Sequence, residues 1–252
     1  MTDRPEFKPL PETWQRALVV VAHPDDMEFG SAAAVARWTS QGKDIAYCLV
    51  TSGEAGIDAM PPEESRTVRE AEQRRSCEIV GVPEVEFLGF PDGVLEYGIP
   101  LRRAIAGAIR RFKPEIVITN SAEASWGEGM PLNQSDHIAT GKATLDAARD
   151  AGNRWVFHDQ VLDGLEPWGG VEQVWAAGSP KSKHAVDTTD FFAAGVESLL
   201  AHRAYIDGLG WETFDPAEFL ESISRTVGSA IGSTYGASFE VFTMTWQVPE
   251  EE

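Results

Sequence analysis

Basic residues are scarce in this chain of 252 residues, which contains 21 Lys and Arg against 40 Asp and Glu and has a formal net charge of −19. Proteins that bind nucleic acid or anionic membrane surfaces do so through clustered Lys and Arg side chains. No segment of the sequence supplies such a cluster. We therefore expect neither a nucleic-acid partner nor a membrane partner.

Long hydrophobic runs are also lacking, because no stretch approaches the ~18 continuous apolar residues that a membrane span requires. The start of the chain contains no apolar signal segment, and the only two cysteines, Cys48 and Cys77, lie inside apolar segments. Two buried free thiols suit a reducing compartment. We expect a cytoplasmic protein with one domain over residues 1–252, a length that can bury one large core.

Strand-like and helix-like segments alternate along residues 15–150, where short apolar runs are followed by Ala-rich or amphipathic segments. This alternation is typical of an α/β fold with a mostly parallel sheet and helices on both faces. Residues 151–252 are less regular and predict an α+β arrangement. The predicted strands are residues 17–22, 45–51, 85–88, 115–119, 155–158, 173–177, 184–187 and 239–246, and the predicted helices are residues 31–41, 65–80, 101–112, 135–151, 191–209 and 216–230.

Four ionisable residues follow the first predicted strand: His23, Asp25, Asp26 and Glu28. One Asp would suffice to cap the next helix, whereas several neighbouring carboxylates repel one another unless a cation neutralises them. His and Asp are ligands that suit zinc and related metals, and a tight turn can direct both His23 and Asp26 at one ion. Asp25 then provides a free carboxylate beside the ion, as a general base requires.

The best-placed third ligand is His137, at the start of the helix that follows the fourth predicted strand. In a doubly wound sheet that strand adjoins the first, so the loops after the two strands meet. A single His at a helix start is more often a surface residue, but this location favours a ligand. Asp136 either orients a ligand or caps the helix.

The chain resembles the PIG-L/LmbE-like metal-dependent N-deacetylases. The resemblance rests on the motif His-Pro-Asp-Asp-x-Glu-x-Gly at residues 23–30 and on the Asp-His pair at residues 136–137. It extends to Ser-Gly-Glu at residues 52–54, Val-Arg-Glu-Ala-Glu at residues 68–72 and Phe-Leu-Gly-Phe-Pro-Asp-Gly at residues 87–93. It covers residues 15–150, with a weaker similarity at residues 199–203.

The resemblance implies a Rossmann-like fold and a metal-dependent deacetylase that uses zinc or another divalent transition metal. It assigns His23, Asp26 and His137 as metal ligands and Asp25 as the general base. Arg69 and Asp92 match family positions that bind substrate. Glu28 and Asp136 are expected to orient the site from behind it.

One position departs from the family pattern, because Gln134 stands where relatives often have a His that stabilises the oxyanion. An amide can donate a hydrogen bond, but it carries no charge. We therefore assign Gln134 as a catalytic residue on weaker grounds than Asp25. His184 and His202 are alternative sources of the missing imidazole, although a single His is more often structural.

The leading hypothesis is a zinc-dependent hydrolase that removes an acetyl group from an N-acetylated sugar, a sugar conjugate or a similar small amide, with Asp25 activating the attacking water. A metallophosphoesterase that uses the same site is an alternative, although two-metal chemistry requires more ligands than the sequence offers. The departure at Gln134 leaves room for a third alternative, a catalytically weak metal-binding α/β protein. The sequence does not determine the oligomeric state, so a homo-oligomer is also compatible with it.

Overall fold

The computed structural model describes residues 6–211 and 213–245. Strands and helices alternate through the first half of the chain and become irregular after α4. The strands are β1 (Lys8–Pro9), β2 (Arg16–Val21), β3 (Asp44–Leu49), β4 (Glu84–Phe87), β5 (Ile116–Asn120), β6 (Gln173–Ala177), β7 (His184–Asp187) and β8 (Gly236–Thr243). The helices are α1 (Ala32–Ser40), α2 (Pro62–Ile79), α3 (Ile99–Phe112), α4 (Ser135–Gly152), α5 (His158–Leu162), α6 (Phe192–Leu200), α7 (Arg203–Gly208) and α8 (Pro216–Ile231).

The eight strands found in the described part of the chain join one sheet in the order β1-β7-β8-β6-β5-β2-β3-β4. Every neighbouring pair is parallel except the pairs that β8 makes with β6 and β7, which are antiparallel. The predicted α/β fold with a mostly parallel sheet is therefore confirmed. The strands of the irregular second half extend the same sheet.

The central strand β2 is buried on both faces, which explains its unbroken apolar sequence. Its side chains alternate between two core clusters, so that Val19 and Val21 face one side and Leu18 and Val20 face the other. Residues of α1 and α2 contribute to the first cluster, and residues of α3 and α4 to the second. Helices therefore cover both faces of the sheet, as predicted.

The pairing of β2 positions the site. β2 lies between β3 and β5, with parallel register on both sides. The carboxyl ends of the three strands consequently meet at one edge of the sheet, where the loops that follow them converge. The predicted adjacency of the first and fourth strands of the alternating half is confirmed.

Three predictions for the second half need correction. Residues 155–158 form no strand: Trp155 is 75% exposed, and Phe157 has a left-handed backbone, with φ of 51°, that is incompatible with an extended ladder. The single helix predicted over residues 191–209 is divided into α6 and α7 at His202, whose side chain is buried. The last strand begins earlier than predicted and ends at Thr243, and Trp246 lies outside the described residues.

Within residues 6–211 and 213–245, no helix is both long and apolar enough to cross a bilayer.

Candidate metal centre and active site

The loop after β2 is held in a tight turn by hydrogen bonds to its own carboxylate. The backbone N–H of His23 donates to Oδ2 of Asp26 at 2.8 Å, and the amide of Asn120 donates to the same oxygen at 3.1 Å. Asn120 ends β5 and also accepts the N–H of Ala22 at 2.9 Å, so it connects the two strand ends. Sequence reasoning missed Asn120. The sequence feature that could have identified Asn120 is a polar residue at the carboxyl end of an apolar strand.

The structure brings the three predicted metal ligands together. Nδ1 of His23 lies 3.2 Å from Nε2 of His137 and 3.6 Å from Oδ1 of Asp26. Nε2 of His137 lies 2.9 Å from Oδ1 of Asp26. Ligand atoms about 2.0–2.1 Å from a tetrahedral zinc ion would lie about 3.3 Å from one another. The triangle of two nitrogens and one oxygen therefore fits one face of a tetrahedral site.

Charge complementarity supports this reading of the triangle. Burial alone would raise the pKa of Asp26, but the imidazoles of His137 and His23 hold that pKa well below its usual value. Burial alone would lower the pKa of His23, but the carboxylate of Asp26 and hydrogen bonding to Asp136 raise it well above 6.5. The side chains attract positive charge into the centre of the triangle, which a divalent cation would supply.

The ring nitrogen of His23 that faces away from the triangle is held by two carboxylates. Its Nε2 atom lies 3.0 Å from Asp92 and 3.4 Å from Asp136. Asp136 is itself fixed by the backbone N–H groups of Gly93 and Leu95, at 2.8 and 3.1 Å. A carboxylate behind a ligating imidazole sets its tautomer and orientation. Asp136 therefore contacts His23 from behind, and its orienting role stays a prediction.

The second imidazole has a comparable support. Nδ1 of His137 lies 2.9 Å from the side-chain oxygen of Asn133, whose amide nitrogen donates to the carbonyls of Ser121 and Glu123. An acceptor at Nδ1 leaves Nε2 of His137 free as a ligand atom. Sequence reasoning missed Asn133, which lies one turn before the ligand.

Asp25 precedes the predicted ligand Asp26 in the chain and has a strained backbone conformation, with φ of 87°. Its N–H donates to the side chain of Gln73 at 2.9 Å, and its carboxylate accepts Nη2 of Arg69 at 2.7 Å. Burial raises the pKa of Asp25 from 3.8 to about 8, although Arg69 opposes this shift. A non-glycine residue held at positive φ by surrounding contacts is characteristic of functional sites.

Arg69, the predicted substrate-binding residue, is only 2% exposed. Besides Asp25 it donates to the carbonyls of Pro24 and Gly53, at 2.7 and 2.9 Å. A Cβ on Gly53 would lie 2.2 Å from the guanidinium, and Gly53 also has a φ of 64°, so no larger residue fits there. In the structure Arg69 holds the predicted base and the loop after β3. Asp92, the other predicted substrate residue, contacts His23 and accepts the N–H of Ala55 at 2.8 Å.

Glu28 anchors the back of the turn. One of its oxygens accepts Gln73 at 3.0 Å and Ser76 at 2.7 Å, and Gln73 in turn holds the backbone of Asp25. Burial raises the pKa of Glu28. Glu28 therefore contacts Gln73, which holds the motif, and its orienting role stays a prediction.

The two alternative histidines, His184 and His202, are not part of the triangle. His202 is fully buried behind Glu28, with 3.9 Å between its Nε2 and the Glu28 carboxylate. His184 begins β7, which runs parallel to β2, so it lies at the opposite edge of the sheet from the site. Neither is placed to supply the imidazole that the resemblance leads one to expect at position 134. Gln134 itself is exposed at the start of α4, and its side chain does not cap the helix.

A family profile described as PIG-L: GlcNAc-PI de-N-acetylase matches residues 18–148, which is just over half of the chain. The matched residues include the triangle of His23, Asp26 and His137. The chain belongs to the PIG-L family. The predicted family membership is therefore confirmed.

Individual proteins extend the similarity beyond the residues that the profile matches. A diacetylchitobiose deacetylase from Thermococcus kodakarensis is 27% identical over 88% of this chain and 80% of its own length. The solved N,N'-diacetylchitobiose deacetylase from Pyrococcus horikoshii has a TM-score of 0.84 at 22% identity, covering 92% of this chain and 85% of that one. The 4-carboxy-2-hydroxymuconate hydratase GalB from Pseudomonas putida KT2440 has a TM-score of 0.73 at 19% identity, covering 94% and 99%. These structural similarities show the fold, which by itself does not select a reaction.

Proposed function

We propose that this protein is a zinc-dependent hydrolase that removes the acetyl group from an N-acetylated sugar, sugar conjugate or similar small amide. The observation that carries the proposal is the triangle of His23, Asp26 and His137, together with the neighbouring residue Asp25, whose carboxylate is held by Arg69. The family description and the 27% identity to a diacetylchitobiose deacetylase support the substrate class. We also propose that residues 1–252 act as one domain, because β6, β7 and β8 extend the sheet that carries the site.

The protein residues divide the chemistry among them. A zinc ion held by His23, Asp26 and His137 would polarise the amide carbonyl and acidify water. Asp25 takes a proton from the attacking water as the water oxygen bonds to the carbonyl carbon. The carbon–nitrogen bond then breaks, and Asp25 returns the proton to the amine nitrogen. The products are a free amine and acetic acid, which ionises to acetate.

The neighbours of Asp25 determine whether it can act. Arg69 holds one carboxylate oxygen, and Gln73 holds the backbone, so the base is oriented from two sides. These contacts favour a positioning role for Arg69, and those of Asp92 with His23 favour the same for that residue. Their assignment to substrate binding stays a prediction.

The donor set also supports hydrolysis with one metal over the phosphoesterase alternative. Two groups of His and carboxylate atoms are close enough to bind a cation among the described residues, and both contain His23. The second group relies on Asp136, which already accepts two backbone N–H groups. Nitrogen and carboxylate ligands accept several divalent transition metals besides zinc, so the metal has to be identified directly.

Metal analysis combined with an acetate-release assay tests the proposal. The protein as purified should contain one zinc per chain, and chelated protein should recover activity best with zinc. Acetate release should be measured on diacetylchitobiose, on N-acetylglucosamine and on N-acetylglucosamine conjugates. His137→Ala should lose metal and activity, whereas His158→Ala, a partly exposed control on α5, should keep both.

Two results would contradict the proposal. Two tightly bound metals per chain together with phosphoester hydrolysis and no acetate release would favour the phosphoesterase. Stoichiometric zinc without acetate release from any N-acetyl substrate would favour the catalytically weak metal-binding protein.

A further inference from the structure

The loop between β5 and α4 places one aromatic side chain against a proposed metal ligand. The ring of Trp126 meets the imidazole of His137 at a steep angle, with 5.9 Å between the ring centroids and 71° between the ring planes. This is the usual geometry of an edge-to-face aromatic contact. Nε2 of the same imidazole is one corner of the triangle. Trp126 therefore packs against a side chain that belongs to the triangle.

Backbone hydrogen bonds fix the position of Trp126. Residues 124–133 form a short antiparallel hairpin, in which the N–H of Asn133 donates to the carbonyl of Ala124 at 3.0 Å and the N–H of Trp126 donates across the hairpin at 3.3 Å. Asn133 is also the residue whose side chain holds Nδ1 of His137. One hairpin consequently supplies both the support of this imidazole and the indole that packs on it.

The residue that follows β6 packs on the same indole. A Cβ on Gly178 would lie 2.7 Å from Cζ3 of Trp126, and the glycine has a φ of 67°. A larger residue there would strain the backbone and displace the ring. Trp126 nevertheless remains 37% exposed. Part of the indole is thus packed into the protein, and the rest is open to a ligand.

Two other tryptophans in the described part of the chain are exposed, and both pack elsewhere. Trp155 pairs with His158 of α5, with 4.9 Å between the ring centroids, and Trp211 pairs with Phe214. Neither pair includes a histidine of the triangle. Trp126 is distinguished by the combination of an exposed indole surface and contact with a proposed metal ligand.

An exposed indole at this place meets a need of the proposed substrate class. A pyranose ring has an apolar face made of C–H groups, and an aromatic side chain can cover that face while the hydroxyl groups at the ring edge stay in contact with water. The ring that carries the acetamido group is bonded directly to the reacting nitrogen. It must therefore lie close to the metal ligands whenever the amide carbonyl is at the metal. Aromatic walls of this kind are usual in small-molecule sites.

We propose that the indole of Trp126 is the surface on which the apolar face of the substrate's sugar ring rests while its N-acetyl group lies at the triangle. The inference rests on the proposed deacetylase function and deepens it, because it names a residue that binds the sugar. Trp126 exchanges no proton or electron with the substrate. Its contribution is to binding, and the chemistry remains with the metal ligands and Asp25.

Trp126→Ala tests the inference through the kinetics of acetate release from diacetylchitobiose. We expect KM to rise about 10-fold, which corresponds to about 1.4 kcal/mol, the order expected for one aromatic contact. Because the indole does not take part in the chemical step, kcat should change less than KM, and zinc content should stay at the wild-type value. Trp126→Tyr keeps an aromatic face and should restore most of the lost affinity.

Trp155→Ala is the matched control, because it also removes an exposed tryptophan that packs on a histidine. Trp155 follows the end of α4, whereas His137 lies in its first turn, and the 18 residues of this helix separate the two positions by about 27 Å. The control should leave KM, kcat and zinc content unchanged.

A binding measurement separates this inference from the proposed function. Methyl β-glucosaminide is the glycoside of the expected amine product, so its affinity for the zinc-loaded protein can be measured by NMR titration without turnover. Trp126→Ala should weaken this binding by a factor similar to the rise in KM, and Trp155→Ala should not change it.

The outcomes distinguish the two claims. If the wild-type protein releases acetate and Trp126→Ala matches it in KM and in product affinity, the inference is wrong and the proposed function stands. If Trp126→Ala loses zinc or kcat while KM and product affinity are unchanged, the indole positions His137 and the inference is again wrong. If the wild-type protein releases no acetate yet binds the glucosaminide through Trp126, the proposed function fails and the sugar-binding surface remains. A wild-type protein that does neither overturns both claims.

Discussion

Replacing His202 by Leu should remove part of the acid sensitivity of the fold. His202 is fully buried, and neither ring nitrogen has a hydrogen-bond partner among the described residues. Burial lowers the pKa of His202 from 6.5 to about 3, with a further contribution from Arg69. The imidazole is therefore neutral in the folded protein, whereas it titrates normally once the chain unfolds.

The sign and size of the effect follow from proton linkage. Below pH 6.5 the unfolded chain binds a proton that the folded protein does not bind until about pH 3, so the free energy of unfolding falls as the pH falls. At pH 5 this single group should cost about 2 kcal/mol of stability relative to pH 8. At pH 8 the substitution removes no hydrogen bond, so the two proteins should differ by less than about 1 kcal/mol.

Urea unfolding at pH 8, 6.5 and 5 in the presence of a chelator measures the difference without a metal contribution. The variant should become more stable than the wild type by about 2 kcal/mol between pH 8 and pH 5. His158→Leu, at a partly exposed position, serves as the control for losing a histidine. A difference between wild type and His202→Leu that does not change with pH would refute this prediction, because it would mean that His202 binds its proton equally well in the folded protein and in the unfolded chain.

Three further predictions concern the site and the surface. Asp26→Ala should lose zinc, whereas Asp25→Asn should keep zinc and lose turnover by about 10²–10⁴-fold, as metal analysis and acetate release would show; the opposite pattern would exchange the two roles. Gln134→Ala should leave zinc content unchanged and lower kcat by about 10²–10³-fold if the amide contacts the oxyanion, and unchanged kcat would remove it from the catalytic set. Hydrogen bonds from Arg37 lower the pKa of Glu12, so this group stabilises the fold above its unfolded pKa, and that stability is lost as the pH falls through the folded pKa. In urea unfolding, Glu12→Gln should cost at most about 1 kcal/mol at pH 7, because the pair is partly exposed, and the cost should shrink as the pH is lowered.

The sequence alone determined the sheet and the position of the site along it. The apolar run of β2 had to be buried on both faces, and alternation with helices then required parallel neighbours. The spacing of His23 and Asp26 and the location of His137 after β5 were sufficient to predict three ligand atoms that the structure places within 3.6 Å of one another. These are local patterns and simple topological rules, which a single chain displays directly.

The second half of the chain was predicted less well, for a physical reason. Trp155 and Phe157 look like strand residues, but the left-handed backbone of Phe157 ends any ladder there. The break between α6 and α7 comes from the burial of His202 against Glu28, a contact across 174 positions that no local periodicity records. Short apolar segments are ambiguous until tertiary packing decides which side chains are buried.

Only the tertiary structure decided which hydrogen-bond or ion-pair partner each polar side chain of the site has. The sequence offered Arg69 and Asp92 as residues that contact substrate, whereas folding places them on Asp25 and on the outer nitrogen of His23. It gave no sign that Tyr205 would lie over Arg69. Each of these contacts joins loops from different strands or helices. The partner of a buried charge is chosen by which groups the fold leaves within about 3 Å after desolvation, a property of the packed chain and not of any one segment.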